Sequence, residues 1–229
     1  MKISIVIPVY NQLKLTVDCL GDVFRSYGAD FEVIIVDDGS KEPISKAIPK
    51  MFPKVKMLKN EQNMGFAKTV NKGIEAATGD IIILLNNDIR IDNPAWLKII
   101  VENMGKNSLY LTAPAGGRMT SKFDYIPGEA IKAGEKFSYL VGWCLAIRRE
   151  VFDKIGLIPE NFAKGFFEDT LFGLRARKAG FKMDITEDTG VRHLYHQTFK
   201  AEGYNLAKEY QEKRAIFLDI VKREGITNT

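Results

Sequence analysis

Three groups of side chains in this sequence have the types and spacing for chemistry on a charged ligand. The first is Asn86-Asn87-Asp88, which ends the apolar run Ile81-Ile82-Ile83-Leu84-Leu85. Asn86 and Asp88 are two apart and share one face of a strand end, a spacing suited to two contacts on one ligand or metal. Asp88 is a hard oxygen donor able to join Mg²⁺ or Mn²⁺ to a diphosphate, and Asn86 is a neutral partner suited to a hydrogen bond with ribose. Taken alone, Asn-Asn-Asp reads equally as a strand breaker before the helix start at Asn93-Pro94. The second group, Asp37-Asp38, also closes an apolar run. Its carboxylates could accept from a base edge or from ribose hydroxyls, or form an Asx-type turn through Gly39-Ser40. The third, Glu168-Asp169, stands at a helix start, where acids are favoured by the dipole and the free N–H groups. That field would also lower their pKa values, against use as a general base, unless burial opposes it. His193 follows the strand-like Val191-Arg192 and suits a transition or borderline metal, although a lone histidine is more often structural. His196 reads as a surface residue. Lys68 reads as a solvated helix residue, or as a counter-charge if a diphosphate lies nearby.

The elements that position these groups alternate strand and helix. Residues 3–10 form a first strand whose end Pro8 should mark, because proline cannot donate to a ladder. Asn11 opens a helix with Leu13, Val17, Leu20, Phe24 and Tyr27 at helical spacing, and Gly28 stops it. Residues 31–36 form a second strand, so a parallel right-handed βαβ unit brings Tyr10-Asn11 beside Asp37-Asp38. A third strand spans 54–59, and Asn63-Met64-Gly65 opens a helix with Phe66, Val70, Ile74 and Ala77 inward. The apolar run at 81–85 is a strand buried on both faces, and in such sheets ligands bind at the carboxyl edge. A helix follows with Trp96, Leu97, Ile100, Val101 and Met104 as its core stripe, then a strand at 108–115. Residues 116–138 carry glycines, charges and scattered aromatics without a period and read as a long functional loop. Beyond it come a strand at 137–147, a short helix ending at Gly156, a helix ending at Gly180, a strand at 181–185, and a long helix over 199–224.

Composition sets the class. At 229 residues, 45% hydrophobic and 27% charged, the chain is an ordinary globular α/β protein with a net charge of only +4. That charge tolerates anionic ligands and does not argue for nucleic-acid binding. Cys19 and Cys144 are far apart in apolar surroundings and read as buried free thiols. No apolar run approaches the ~20 residues of a membrane-spanning helix, so a cytoplasmic protein is expected.

Eight stretches in register resemble glycosyltransferase family 2 over roughly residues 1 to 199. They are Ser4-Ile5-Val6-Ile7-Pro8-Val9-Tyr10-Asn11, Val36-Asp37-Asp38-Gly39-Ser40, Asn60-Glu61-Gln62-Asn63-Met64-Gly65-Phe66-Ala67 and Leu84-Leu85-Asn86-Asn87-Asp88. Gly142-Trp143-Cys144 with Arg148-Arg149, then Phe167-Glu168-Asp169, Arg175 to Gly180, and Val191-Arg192-His193 with Thr198-Phe199 continue the match. Rhamnosyltransferase-like members are the most similar in pattern. The resemblance implies a GT-A fold, with a catalytic domain over 1–198 and a C-terminal helical extension over 199–229. Within the domain, residues 1–115 would be the nucleotide-sugar half and 116–198 the acceptor half. It also implies a UDP-, dTDP- or GDP-sugar donor, a divalent metal (Mn²⁺ or Mg²⁺), and inversion by one direct displacement.

Carried over by position, Pro8, Tyr10 and Asp38 would hold the nucleobase, with Asp37 nearby and Lys68 toward the phosphates. Asn11, Asn63, Asn86, Asn87 and Trp143 complete the implied donor site. Asp88 and His193 would be the metal ligands, and Asp169, with Glu168 beside it, the base that deprotonates the acceptor hydroxyl. Two positions depart from the family pattern. Asn86 replaces the first acid of the usual DXD, and Leu171 stands where many relatives have a second acid. The 116–138 segment matches no family motif and is a candidate acceptor mouth. The implied acceptor is a saccharide or lipid-linked saccharide. The basic residues of the last helix (Lys208, Lys213, Arg214, Lys222, Arg223) offer a peripheral membrane contact or a homodimer surface, with a solvated face preferred. Two alternatives stand beside this reading: a catalytically inactive nucleotide-sugar or glycan binder, and a nucleotidyltransferase. The latter normally has a glycine-rich phosphate loop where this chain has Pro8-Val9-Tyr10-Asn11.

Overall fold

The computed structural model describes residues 1–128, 130–162, 165–194 and 205–228; His196 lies outside them. From the N-terminus the chain runs β1 (Lys2–Val9), α1 (Leu13–Phe24), β2 (Asp30–Asp37), α2 (Ile44–Met51), β3 (Val55–Lys59), α3 (Phe66–Ala76) and β4 (Ile81–Leu85). It continues through β5 (Ile89–Ile91), α4 (Trp96–Lys106), β6 (Leu111–Ala113), β7 (Gly116–Met119), β8 (Tyr125–Ile126), β9 (Tyr139–Leu140) and β10 (Cys144–Arg148). The last elements are α5 (Arg149–Ile155), α6 (Glu168–Lys178), β11 (Met183–Ile185), β12 (Val191–His193) and α7 (Leu206–Arg223). One seven-stranded sheet has the order β11-β6-β10-β4-β1-β2-β3. It is parallel except at β10, which runs antiparallel to both β4 and β6.

β4 is the buried strand its composition requires. Ile81, Ile83 and Leu85 enter the core under α1 and α4, while Ile82 and Leu84 enter the one under α3, α5 and α6. A strand between two helical layers has no solvent face, so every position is apolar. Fully burying each such side chain contributes roughly 1.5–3 kcal/mol. Where the run ends, the polar Asn86-Asn87-Asp88 emerges at the carboxyl edge of the sheet.

Pro8 lies within β1, one residue before its end. Pairing with β2 runs through Val9, but pairing with β4 stops at Val6. The Val9 carbonyl accepts from Asp38 on the β2 side, so the alternation of the strand turns Pro8 toward β4, beyond the last rung. The missing N–H breaks no ladder bond.

Several elements differ from the sequence expectation. The 116–138 segment is not a structureless loop, because β7 pairs with β8 and with β9 in a small separate sheet. The strand expected at 137–147 is two, β9 and β10, parted at Val141-Gly142-Trp143 where the chain passes from one sheet to the other. The strands expected at 108–115 and 181–185 shorten to β6 and β11, and the helix expected from Asn11 begins at Leu13. The sequence pattern gives no sign of α2, since Pro49 lies inside a helix whose buried residues are only Ile44 and Ile48.

The pattern gives no sign of β5 either. It pairs with β12 in a two-stranded ribbon that sets His193 opposite Ile89. The buried Asp22 carboxylate of α1 holds this ribbon, accepting from Arg90 Nε at 2.7 Å and from the Ile91 amide at 3.1 Å. α7 packs Phe217, Ile220 and Val221 into a third core with Phe162, Phe167 and Leu171. Four of its five basic residues have acidic partners: Lys208 with Glu212, Lys213 with Glu209, Arg214 with Asp124 and Arg223 with Asp219. Among the described residues, no helix is long and apolar enough to cross a membrane.

Candidate active site

Three segments meet at the carboxyl end of β4. His193 Nε2 is 2.9 Å from Asp88 Oδ1 and 3.4 Å from Asn86 Nδ2. Asn86 and Asp88 thus share one face of the strand end. Asn87 points the other way, donating from Nδ2 to Thr16 Oγ1 of α1 at 3.0 Å. The imidazole lies parallel to the Trp143 ring, with centroids 5.4 Å apart and planes at 7°. Trp143 also accepts a 2.9 Å hydrogen bond from the Asn86 amide through its carbonyl, so one residue contacts both His193 and Asn86.

These side chains fit a divalent ion. Adjacent ligands on an octahedron with bonds of ~2.1 Å stand about 3.0 Å apart, close to the observed Asp88–His193 separation. A half-turn of the Asn86 amide, which exchanges its oxygen and nitrogen, would turn a third lone pair to the same point. Among the described residues no group of three His, Cys, Asp or Glu side chains gathers, so an ion here would have two such ligands and the neutral amide.

One residue before Trp143, the Gly142 amide donates to Asp169 Oδ2 at 2.8 Å. Asp169 Oδ1 accepts from the Thr170 amide at 2.6 Å. A Cβ on Gly142 would sit 2.9 Å from both Cβ and Oδ2 of Asp169, so only glycine lets the backbone approach this closely. Burial pushes the Asp169 carboxyl above the ordinary range, although hydrogen bonds from Gly142 and Thr170 oppose it. Glu168 is more deeply buried, and its Oε2 has no hydrogen-bond partner among the described residues. Burial first, and then the Asp169 charge, push its pKa up to about 8. At this helix start desolvation outweighs the dipole.

The other candidates lie around the ends of β1 and β2. Asp37 accepts from the Ser40 amide at 2.9 Å and from the Ser45 hydroxyl, the Asx-type arrangement open in the sequence. Asp38 accepts from Asn60 Nδ2 at 2.9 Å, the Met64 amide at 2.8 Å and the Gly65 amide at 3.0 Å. Both carboxylates therefore shape loops, and Asp38 holds the 60–65 segment at the start of α3. Asn63 Oδ1 accepts from the Gly65 amide in the same turn. Asn11 takes a left-handed conformation and accepts from the Lys41 amide at 2.9 Å. Tyr10 is half-buried and Lys68 exposed. The sequence offered no sign of Tyr125 and Tyr139, two of the scattered aromatics around 116–138, which lie within electrostatic reach of Asp169.

The mixed sheet sets an aspartate at the carboxyl end of its central strand β4, and the β5–β12 ribbon brings a histidine to it. The start of α6 lays a carboxylate against the adjoining turn, and the fold is that of the GT-A glycosyltransferases. The family model for "Glycosyl transferase family 2" matches residues 4–156, and the chain belongs to that family. Its curated relatives include the uncharacterized protein y4gI of Sinorhizobium fredii, 27% identical over 99% of this chain and 28% of that protein. They also include the glycosyltransferase AglE of Haloferax volcanii, 25% identical over 81% of this chain and 64% of that protein. The fold is also that of the mannosyltransferase PcManGT from Pyrobaculum calidifontis, solved with GDP-Man and Mn²⁺. The TM-score is 0.68 at 16% identity, over 87% of this chain and 59% of the other. The chain thus spans less than two thirds of the length of each of these proteins.

Proposed function

We propose that the chain transfers a sugar from a nucleoside-diphosphate sugar to an acceptor hydroxyl, with inversion at the anomeric carbon. The observation that carries this reading is the Gly142-Trp143 dipeptide. Its first residue holds the Asp169 carboxylate and its second packs on His193 and bonds Asn86. A base and a pair of metal-capable ligands are thereby fixed to one turn, as a reaction between a diphosphate leaving group and a hydroxyl nucleophile requires.

Asp88 and His193, with Asn86, are the residues that would hold a divalent ion. The Mn²⁺ and GDP-Man bound by the structurally similar mannosyltransferase support that assignment. The chemistry such an ion supplies is neutralisation of charge on the departing diphosphate. Tyr10, Pro8 and Asn11 at the end of β1, with the loops held by Asp37, Asp38 and Asn63, line the nucleoside end. Asn87 braces the strand end from behind, and exposed Lys68 would supply a counter-charge to the phosphates. Asp169 takes the proton as the acceptor oxygen bonds to the anomeric carbon and the bond from that carbon to the diphosphate oxygen breaks. A carboxylate lifted by burial is a stronger base than an ordinary one. The acceptor is a saccharide, free or lipid-linked.

A screen of UDP-, dTDP- and GDP-sugars with Mn²⁺, read as release of free nucleoside diphosphate, tests the reading. Release with at least one donor is expected. Nucleotide binding without release from any of them would leave an inactive binding module in its place.

A further inference from the structure

The tyrosines beside Asp169 have no part in the displacement outlined above. Tyr125 stacks on Phe167, with centroids 5.5 Å apart and planes at 13°, and meets Tyr139 edge-on at 5.2 Å. Tyr210, from α7, packs on Tyr125 at 5.7 Å and on Phe167 at 5.3 Å. The Tyr125 hydroxyl is 3.3 Å from Thr170 Oγ1, which is itself 3.2 Å from Asp169 Oδ1. Burial, followed by the Asp169 charge, pushes the Tyr139 phenol up to about 12, and Tyr210 adds to the shift. The cluster therefore joins β8, β9 and the C-terminal helix around one carboxylate.

Tyr139 lies against bare backbone. A Cβ on Gly117 would meet its Cζ and hydroxyl at 2.2 Å. Tyr139 and Tyr210 are both half-buried, and their hydroxyls make no hydrogen bond to any described residue. Aromatic rings with an apolar face and a wet polar tip suit a ligand that is itself part apolar and part hydroxylated. A pyranose ring has that character, with C–H groups on its faces and hydroxyls on its rim.

We infer that Tyr139 and Tyr210 form the acceptor subsite, each touching a saccharide acceptor through its ring and reading a sugar hydroxyl with its phenol, while Tyr125 positions both. The inference rests on the proposed role of Asp169 as the base, since the acceptor must reach that carboxylate. It makes α7 part of the active site, where it is anchored by Arg175–Glu224 and Arg214–Asp124, each at 2.5 Å.

The test uses the full chain, fluorescently labelled, on a panel of immobilised hexose, N-acetylhexosamine and uronic-acid oligosaccharides, with Mn²⁺ and nucleoside diphosphate present. The wild type is expected to bind at least one oligosaccharide. Tyr139→Phe and Tyr210→Phe, which keep the packing, should weaken that binding at least tenfold, with the Kd for the nucleoside diphosphate and the melting temperature unchanged. Tyr210→Ala should abolish it. Undiminished saccharide binding by all three variants would overturn the inference. So would a wild type that releases nucleoside diphosphate from its donor yet binds no saccharide of the panel, whereas a wild type inactive on every donor removes the reaction itself.

Discussion

His193 Nε2 stands 2.9 Å from Asp88 Oδ1 although 105 residues separate them in the chain. The contact follows from the β5–β12 ribbon, which pairs His193 with Ile89, the residue after Asp88. Asp22 anchors the ribbon from α1, and Trp143 sets the plane of the imidazole from the other side. Both side chains are thus held in place by secondary structure before a ligand arrives, which lowers the ordering cost of binding.

Asp88→Ala removes the anionic member of the pair. Sugar transfer should be lost, and isothermal titration should show that Mn²⁺ no longer tightens nucleoside-diphosphate binding. The melting temperature should stay close to that of the wild type, because Asp88 lies beyond the end of β4 and outside the apolar core. His193→Ala should act in the same direction but less severely, since water can take its place. Normal turnover by Asp88→Ala would remove this residue from the mechanism.

Gly142→Ala tests the turn. The added methyl would sit 2.9 Å from Asp169 Cβ and Oδ2, so the carboxylate must shift and its bond to the Gly142 amide must lengthen. A displacement of about 1 Å in a reacting group can cost on the order of 10²-fold in rate. Transfer should fall by that order while the Kd for the nucleoside diphosphate stays unchanged. An unaltered kcat would mean that Asp169 need not occupy its observed position.

What could be read in the sequence follows the range of the interactions. β4 and its polar end were legible because burial on both faces demands an unbroken apolar run. The parallel pairing of β1 with β2 followed from the strand–helix–strand order. Pairing between distant segments left no local mark. His193 could be linked to Asp88 only through family resemblance, because nothing near residue 191 says that it pairs with residue 89. Tyr125, Tyr139 and Tyr210 come from three elements and share no period, so their meeting beside Asp169 was invisible. α2 was hidden by Pro49, which usually ends a helix. The closeness of Gly142 to Asp169 could not be seen either, although the glycine itself stood in a recognised motif.

Asp169→Asn removes the proton acceptor but not without structural cost. Asp169 accepts from two backbone amides, one on each oxygen, and an asparagine must turn its NH₂ toward one of them. One buried bond is lost and two donors face each other, a cost of roughly 1–3 kcal/mol. A lower melting temperature should therefore accompany a fall in transfer of ~10²–10⁴-fold, the contribution of a general base. Donor nucleotide affinity should barely change. If this variant transfers normally while Glu168→Gln is dead, the base is Glu168.

Glu168 sets the pH dependence of stability. Its carboxyl is buried, one oxygen lacks a partner, and its pKa rises from the ordinary 4.5 to about 8. Between those values the folded state holds a proton that the unfolded state releases. Stability attributable to this group is therefore complete below pH ~4.5 and is lost as pH rises through about 8. Glu168→Gln keeps the shape and cannot ionise, so it should lack that loss. Its melting temperature should match the wild type near pH 4 and exceed it at pH 9, by about 2–4 °C for each kcal/mol in a chain of this size. Asp169, raised in the same direction by burial, adds a decline of its own. Thermal melts of the two proteins from pH 4 to 9 decide the matter. A gap independent of pH, or a wild type that is the more stable protein at pH 9, would show that the buried Glu168 carboxyl is ionised without penalty.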